Sequence, residues 1–204
     1  MKTNIRLKAK IMTKLLMFAG SARKASTNKQ LAALAARTAK EAGAEVTLID
    51  LADFDMPIYN GDIEADTGLP ENAKRLKQLF VEHDGFFIAS PEYNSSIAAV
   101  LKNALDWISR PHTENEPGLW AFQGTVAAIG SVTPGALGGL RGLVPLRMML
   151  GNIGVTVVPS QIAVSDGLNA FDDHGALVAD MPARMLKTTV TQLVETTDAL
   201  KRDV

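Results

Sequence analysis

The apolar run Leu15 to Ala19 stops at Gly20-Ser21, and a polar turn leads straight into a helical pattern from Lys29 to Ala42. Strand, polar loop, helix is the first half of a βαβ unit. This order constrains the chain more than any other feature, because it points to a parallel sheet with covering helices. In such a unit the loop after the strand faces the helix start. Free backbone N–H groups and the helix dipole favour an anion there. Ser21, Arg23, Ser26, Thr27 and Asn28 add side-chain donors to that place. N-capping by Ser26, Thr27 or Asn28 would account for one of these residues, but not for Ser21 and Arg23 as well. The loop is neither GxGxxG nor GxxxxGK followed by Ser or Thr. A monophosphate is therefore a better ligand for it than a pyrophosphate or a triphosphate.

The remaining pattern repeats the unit. Helix one, Asn28 to Ala42, ends at Gly43; strand two is Glu45 to Asp50; Leu51 to Leu69 reads as loop; helix two runs from Pro70 to His83. Strand three, Gly85 to Ser90, is an almost wholly apolar run, as expected of a strand covered on both faces. The loop Pro91 to Ser95 and helix three, Ile97 to Arg110, follow it. After the connection Pro111 to Leu119 come strand four, Gly124 to Ile129, and a glycine-rich loop, Gly130 to Gly139. Helix four, Leu140 to Asn152, strand five, Val155 to Val158, and a last helix, Pro182 to Lys201, complete the chain. Five strands in this alternation predict a doubly wound α/β sheet of order 2-1-3-4-5. Ligands in such sheets sit beyond the carboxyl ends of the strands where the winding reverses. The loops after strands one, three and four should converge at that point.

The chain of 204 residues, 47% apolar and 21% charged, suits one soluble domain with a sizeable core. It has no cysteine. That excludes disulfides, thiolate nucleophiles, and thiolate zinc or iron–sulfur sites, and fits a cytoplasmic protein. The first acidic residue is Glu41, so the start of the chain is basic. Residues 1–12 read as a flexible basic leader outside the fold, and 13–204 as the single domain. His83, His112 and His174 lie on different elements without ligand spacing, so no metal site is expected. Neither a nucleic-acid nor a membrane partner is expected.

In the loop Pro91 to Ser95, Tyr93 offers a flat amphipathic face, and the backbone can hydrogen-bond a planar ligand. Tyr93 reads equally well as a half-buried packing residue. Glu92 could cap a helix or meet a cation. The glycines of Gly130 to Gly139 would let backbone lie flat against a ring, or simply make the loop flexible.

Three stretches, GSARKASTN after strand one, SPEYNSSIAAVLKNALDWISR after strand three and GSVTPGALGGLRG after strand four, resemble the NADPH-dependent FMN reductase family. That family includes chromate, quinone and azo-dye reductases of flavodoxin-like fold. The resemblance spans about Leu15 to Ile162 and is most specific in PEYN and LKNALDW. It implies that Ser21, Arg23, Ser26, Thr27 and Asn28 hold the FMN phosphate. It implies that Pro91, Glu92, Tyr93 and Asn94 line the ribityl chain and ring, largely through backbone contacts, with Ser131 and its glycine neighbours at the other edge. It further implies NADPH or NADH as co-substrate and hydride passage by way of FMN to a quinone, with chromate, an azo dye or free flavin as other acceptors. No catalytic side chain is needed, because the flavin performs the chemistry. A homodimer or homotetramer through helix 96–110 is implied too. A flavodoxin-type electron carrier or a non-catalytic FMN-binding protein is the rival reading. Carriers of that type are strongly acidic, whereas this chain has a net charge of −1.

Overall fold

The computed structural model describes residues 12–201. Residues 1–11, nearly all of the expected basic leader, lie outside them. Five parallel strands form the sheet: β1 (Lys14–Ala19), β2 (Glu45–Asp50), β3 (Gly85–Ala89), β6 (Val126–Val132) and β7 (Thr156–Val164), in the order β2-β1-β3-β6-β7. In strand count this is the expected order 2-1-3-4-5, with the winding reversing between β1 and β3. The labels skip β4 (Glu92–Tyr93) and β5 (Ser96–Ile97), which pair with each other as a separate antiparallel hairpin.

Successive strand residues point to opposite faces, so a continuous apolar run serves two cores. Leu15, Met17 and Ala19 of β1 pack with Leu31 and Ala35 of α1 (Thr27–Glu41) and with Val190 and Leu193 of α6 (Asp180–Leu200). Leu16 and Phe18 pack the other way. They meet Leu76 and Phe80 of α3 (Glu71–Glu82), Leu101 and Leu105 of α4 (Ala99–Ile108) and Leu143 and Leu146 of α5 (Leu140–Asn152). The result is three layers, helix–sheet–helix.

The structure departs from the sequence reading in several places. Leu51 to Leu69 is not all loop: α2 (Gly61–Thr67) forms within it, capped by the Asn60 side chain at 2.8 Å from the Asp62 N–H and ended by Gly68 at φ 71°. Gly61 is the first residue of this helix and Gly68 its C-cap. β6 runs on through Gly130 and Ser131 to Val132, absorbing the start of the expected glycine loop. β7 continues past Pro159 to Val164 because its register shifts against β6 between Ala127 and Ile129. An irregularity on an edge strand tolerates proline. The Arg147 guanidinium fills the shifted stretch, donating to the carbonyls of Val157 (3.3 Å) and Val158 (2.9 Å) and to Gln161 Oε1 (3.0 Å).

Candidate functional site

Every β-to-α loop of a parallel sheet opens at the carboxyl edge of the strands. Loop one follows β1. Gly20 sits so close to α4 that a Cβ there would stand 2.8 Å from the Leu101 side chain. Close approach therefore demands this glycine. Ser21 and Ser26 are buried, Thr27 is half-buried and Arg23 is exposed. Ser21 Oγ accepts from the Arg23 N–H at 3.3 Å, which ties the loop back on itself.

Ser26 occupies the N-cap position of α1 without capping it by its side chain, and no acidic residue lies in the first turn. The positive end of α1 is thus uncompensated by its own first turn. Among the described residues Arg23 has no carboxylate partner, and Lys29 is turned aside into an ion pair with Asp50 at 2.5 Å. An open helix N-terminus with two buried hydroxyls and an unpaired guanidinium fits a phosphate monoester.

Asn28 stands apart from the other four. It is buried, and its amide is occupied twice by Val132, donating to the carbonyl at 2.8 Å and accepting from the N–H at 3.0 Å. β3 ends at Ala89, opposite Gly130, so Val132 has no strand partner on that side. The Asn28 amide takes the place of the missing strand.

Loop two turns out to be the β4–β5 hairpin. Asn94 and Ser95 both take left-handed backbone (φ 52° and 64°), the pattern of a two-residue hairpin turn. Pro91 is buried, while Tyr93 and Asn94 are exposed at the tip. The Glu92 carboxylate reaches α5 and accepts the Gly142 N–H at 3.1 Å. The motif that follows has a mechanical explanation. Asn103 donates to the Pro57 carbonyl (2.9 Å) and accepts the Tyr59 N–H (2.7 Å), while the Trp107 indole N–H donates to the same Pro57 carbonyl (2.8 Å). Asn103 and Trp107 lie one turn apart on α4 and clamp the segment 57–59. Trp107 is fully buried and belongs to the core.

Loop three is seated by its glycines. A Cβ on Gly138 would meet Val164 backbone at 2.6 Å, and one on Gly139 would lie 1.9 Å from Ser131 Oγ. Ser131 is consequently sealed beneath Gly139, wholly buried, with a hydroxyl that finds no hydrogen-bond partner among the described residues. Its side chain underlies the loop, and the exposed residues above it are Pro134, Gly135, Ala136 and Leu137. A fourth loop joins the group unforeseen: after β7, the Gly167 N–H donates to the Thr133 carbonyl at 3.0 Å. The Asp166-Gly167 pair, with Asp166 at φ 51°, was its only sequence signal.

Sheet order and reversal point, with an open helix N-terminus beside a hairpin and a glycine loop, define a flavodoxin-like fold. The profile of the NADPH-dependent FMN reductase family matches residues 13–169, and the chain belongs to that family. It is 35% identical over 193 residues to an NADPH:quinone oxidoreductase of Arabidopsis thaliana, covering 90% of this chain and 91% of that one. It is 32% identical over 177 residues to a 2-hydroxy-1,4-benzoquinone reductase of a Burkholderia species, covering 86% and 91%. Among solved structures, the flavoenzyme NAD(P)H:acceptor oxidoreductase FerB of Paracoccus denitrificans superposes with a TM-score of 0.77 at 26% identity, covering 92% of this chain and 98% of that one.

Proposed function

We propose that the chain is an FMN-dependent NAD(P)H oxidoreductase that reduces quinones. The observation that carries this reading is the uncompensated N-terminus of α1, with Ser21, Arg23, Ser26 and Thr27 around it, beside the hairpin and the glycine-seated loop. When bound, FMN supplies the two-electron chemistry that links NAD(P)H to the acceptor. The chain's own residues hold and orient it. Ser21, Arg23, Ser26 and Thr27 bind the phosphate, and Asn28 fixes that loop to β6. Pro91, Glu92, Tyr93 and Asn94 shape the wall beside the ribityl chain and ring through the hairpin backbone. Ser131 supports the backbone of loop three at the other edge. Tyr93 and Leu137, about half exposed, leave an apolar approach suited to a quinone.

A homo-oligomer belongs to the same reading. Helix 96–110 was the expected contact, but α4 spends Leu101, Leu105, Trp107 and Ile108 on its own core, while Lys102 and Asp106 pair with each other. Leu140, Val144 and Met148 of α5 form an exposed apolar stripe at four-residue spacing, so we put the contact there. A chain without cysteine suits the cytoplasm. No helix of the described residues is long and apolar enough to cross a membrane.

The test is direct. Purified protein is expected to be yellow or to take up added FMN, and to consume NADPH steadily with a quinone. FMN uptake without NADPH consumption would support an electron carrier or a simple binder. A colourless protein that takes up no FMN would overturn the proposal.

A further inference from the structure

The hairpin that would wall the flavin is too small to hold itself. Each strand is two residues long, and an isolated pair of that size is not stable in water. Its turn places two residues with side chains, Asn94 and Ser95, in left-handed backbone, which adds strain. Something outside the hairpin must fix it, and two independent observations identify α5. The Glu92 carboxylate accepts the Gly142 N–H at 3.1 Å. Backbone and side chain also meet there without a gap: a Cβ on Gly142 would lie 3.1 Å from the Ser96 carbonyl oxygen and 3.3 Å from Glu92 Cβ.

The anchor serves α5 as well. This helix starts at Gly139, which has no side chain to cap it, and no acidic residue lies in its first turn. Glu92 supplies from another element the carboxylate that a helix start favours. α5 is in turn the direct continuation of loop three, so whatever holds its first turn also holds that loop.

We propose that Glu92 is a positioning residue whose carboxylate locks the hairpin to the first turn of α5 and so sets the spacing of the two walls between which the flavin ring lies. The inference rests on the flavin reading of the site. It gives the Glu92 side chain a role distinct from ring contact: the carboxylate is spent on α5, and only the hairpin backbone faces the ring.

The test uses Glu92→Ala, Glu92→Gln and Gly142→Ala with two readouts. The first, hydrogen exchange of the Gly142 amide in the flavin-free protein, needs no cofactor. The Gly142 N–H is shared, donating also to the Gly139 carbonyl at 3.1 Å, so Glu92→Ala removes one of two acceptors and is expected to speed exchange about threefold or more. Glu92→Gln recovers most of the protection, because the amide oxygen accepts the same N–H. The second readout is titration with FMN and with riboflavin. A ring-side defect weakens both by the same factor, about tenfold in Glu92→Ala, whereas a phosphate-side defect weakens FMN alone. Gly142→Ala crowds the Ser96 carbonyl and the Glu92 side chain, shifts the seam by a few tenths of an ångström and is expected to weaken both flavins equally, so the test survives if Glu92→Ala does not fold. Unchanged Gly142 exchange in Glu92→Ala overturns the proposal. So does a loss confined to FMN, or a Glu92→Gln protein as defective as Glu92→Ala. If the native protein takes up neither flavin, the flavin reading fails, and the exchange experiment still decides whether Glu92 holds the seam.

Discussion

Replacing Asn28 with alanine tests whether this residue is a phosphate ligand or a strut. In the structure its amide makes two hydrogen bonds to Val132, and both residues are buried, at 3% and 2% exposure. Asn28→Ala would strand one buried N–H and one buried carbonyl, each at about 1–3 kcal/mol. A loss near 4 kcal/mol is about a quarter to four-fifths of the stability of an ordinary domain. At about 2–4 °C per kcal/mol for a domain of this size, the melting temperature should fall by roughly 8–16 °C. Asn28→Asp should do no better: its carboxylate still accepts the Val132 N–H but faces the Val132 carbonyl without a proton to offer. The assay is urea and thermal unfolding of the flavin-free protein, followed by FMN titration of whatever folds. A loss below about 1 kcal/mol in Asn28→Ala would refute the strut. So would an unaltered melting temperature combined with selective loss of FMN, which would make Asn28 a phosphate ligand after all.

Arg23→Ala combined with Ser26→Ala should weaken FMN far more than riboflavin in a fluorescence titration, since only FMN carries the phosphate; equal losses would remove these residues from the phosphate site. Lys77 and Glu116 form an ion pair with side chains only 2% and 7% exposed, and burial pulls the lysine down to about 8. Lys77→Met should destabilise by about 1–3 kcal/mol in urea unfolding, because the Arg110 carbonyl loses its donor while the Glu116 carboxylate keeps the His112 ring and N–H. Burial works against the Glu64 charge, but hydrogen bonds from Arg110 and Tyr59 outweigh it and hold the carboxyl below its ordinary value. Its contribution is therefore present above the ordinary carboxylate range and lost as pH falls, so the native protein should lose stability more steeply than Glu64→Gln between about pH 5 and 3. Val144→Glu with Met148→Glu should lower the oligomeric state in sedimentation while leaving the melting profile of the chain cooperative; an unchanged mass would move the contact off α5.

The sequence by itself determined the layered sheet, its strand order and the edge at which the β-to-α loops open. Long apolar runs bounded by glycine leave little choice between strand and helix, and a parallel sheet puts all its β-to-α loops at one edge. It also marked loop one correctly as a place rich in donors. It did not assign those donors. Asn28 and Ser26 look alike as cap residues, and only the end of β3 at Ala89 leaves Val132 for Asn28 to satisfy. Ser131 looked available in a glycine loop, but the left-handed Gly139 closes over it. Glu92 had no visible partner because Gly142 lies 50 residues away along the chain. Local pattern fixes which backbone conformation a segment prefers. Which side chain remains free for a ligand depends on contacts between distant segments, and only the tertiary structure decides those.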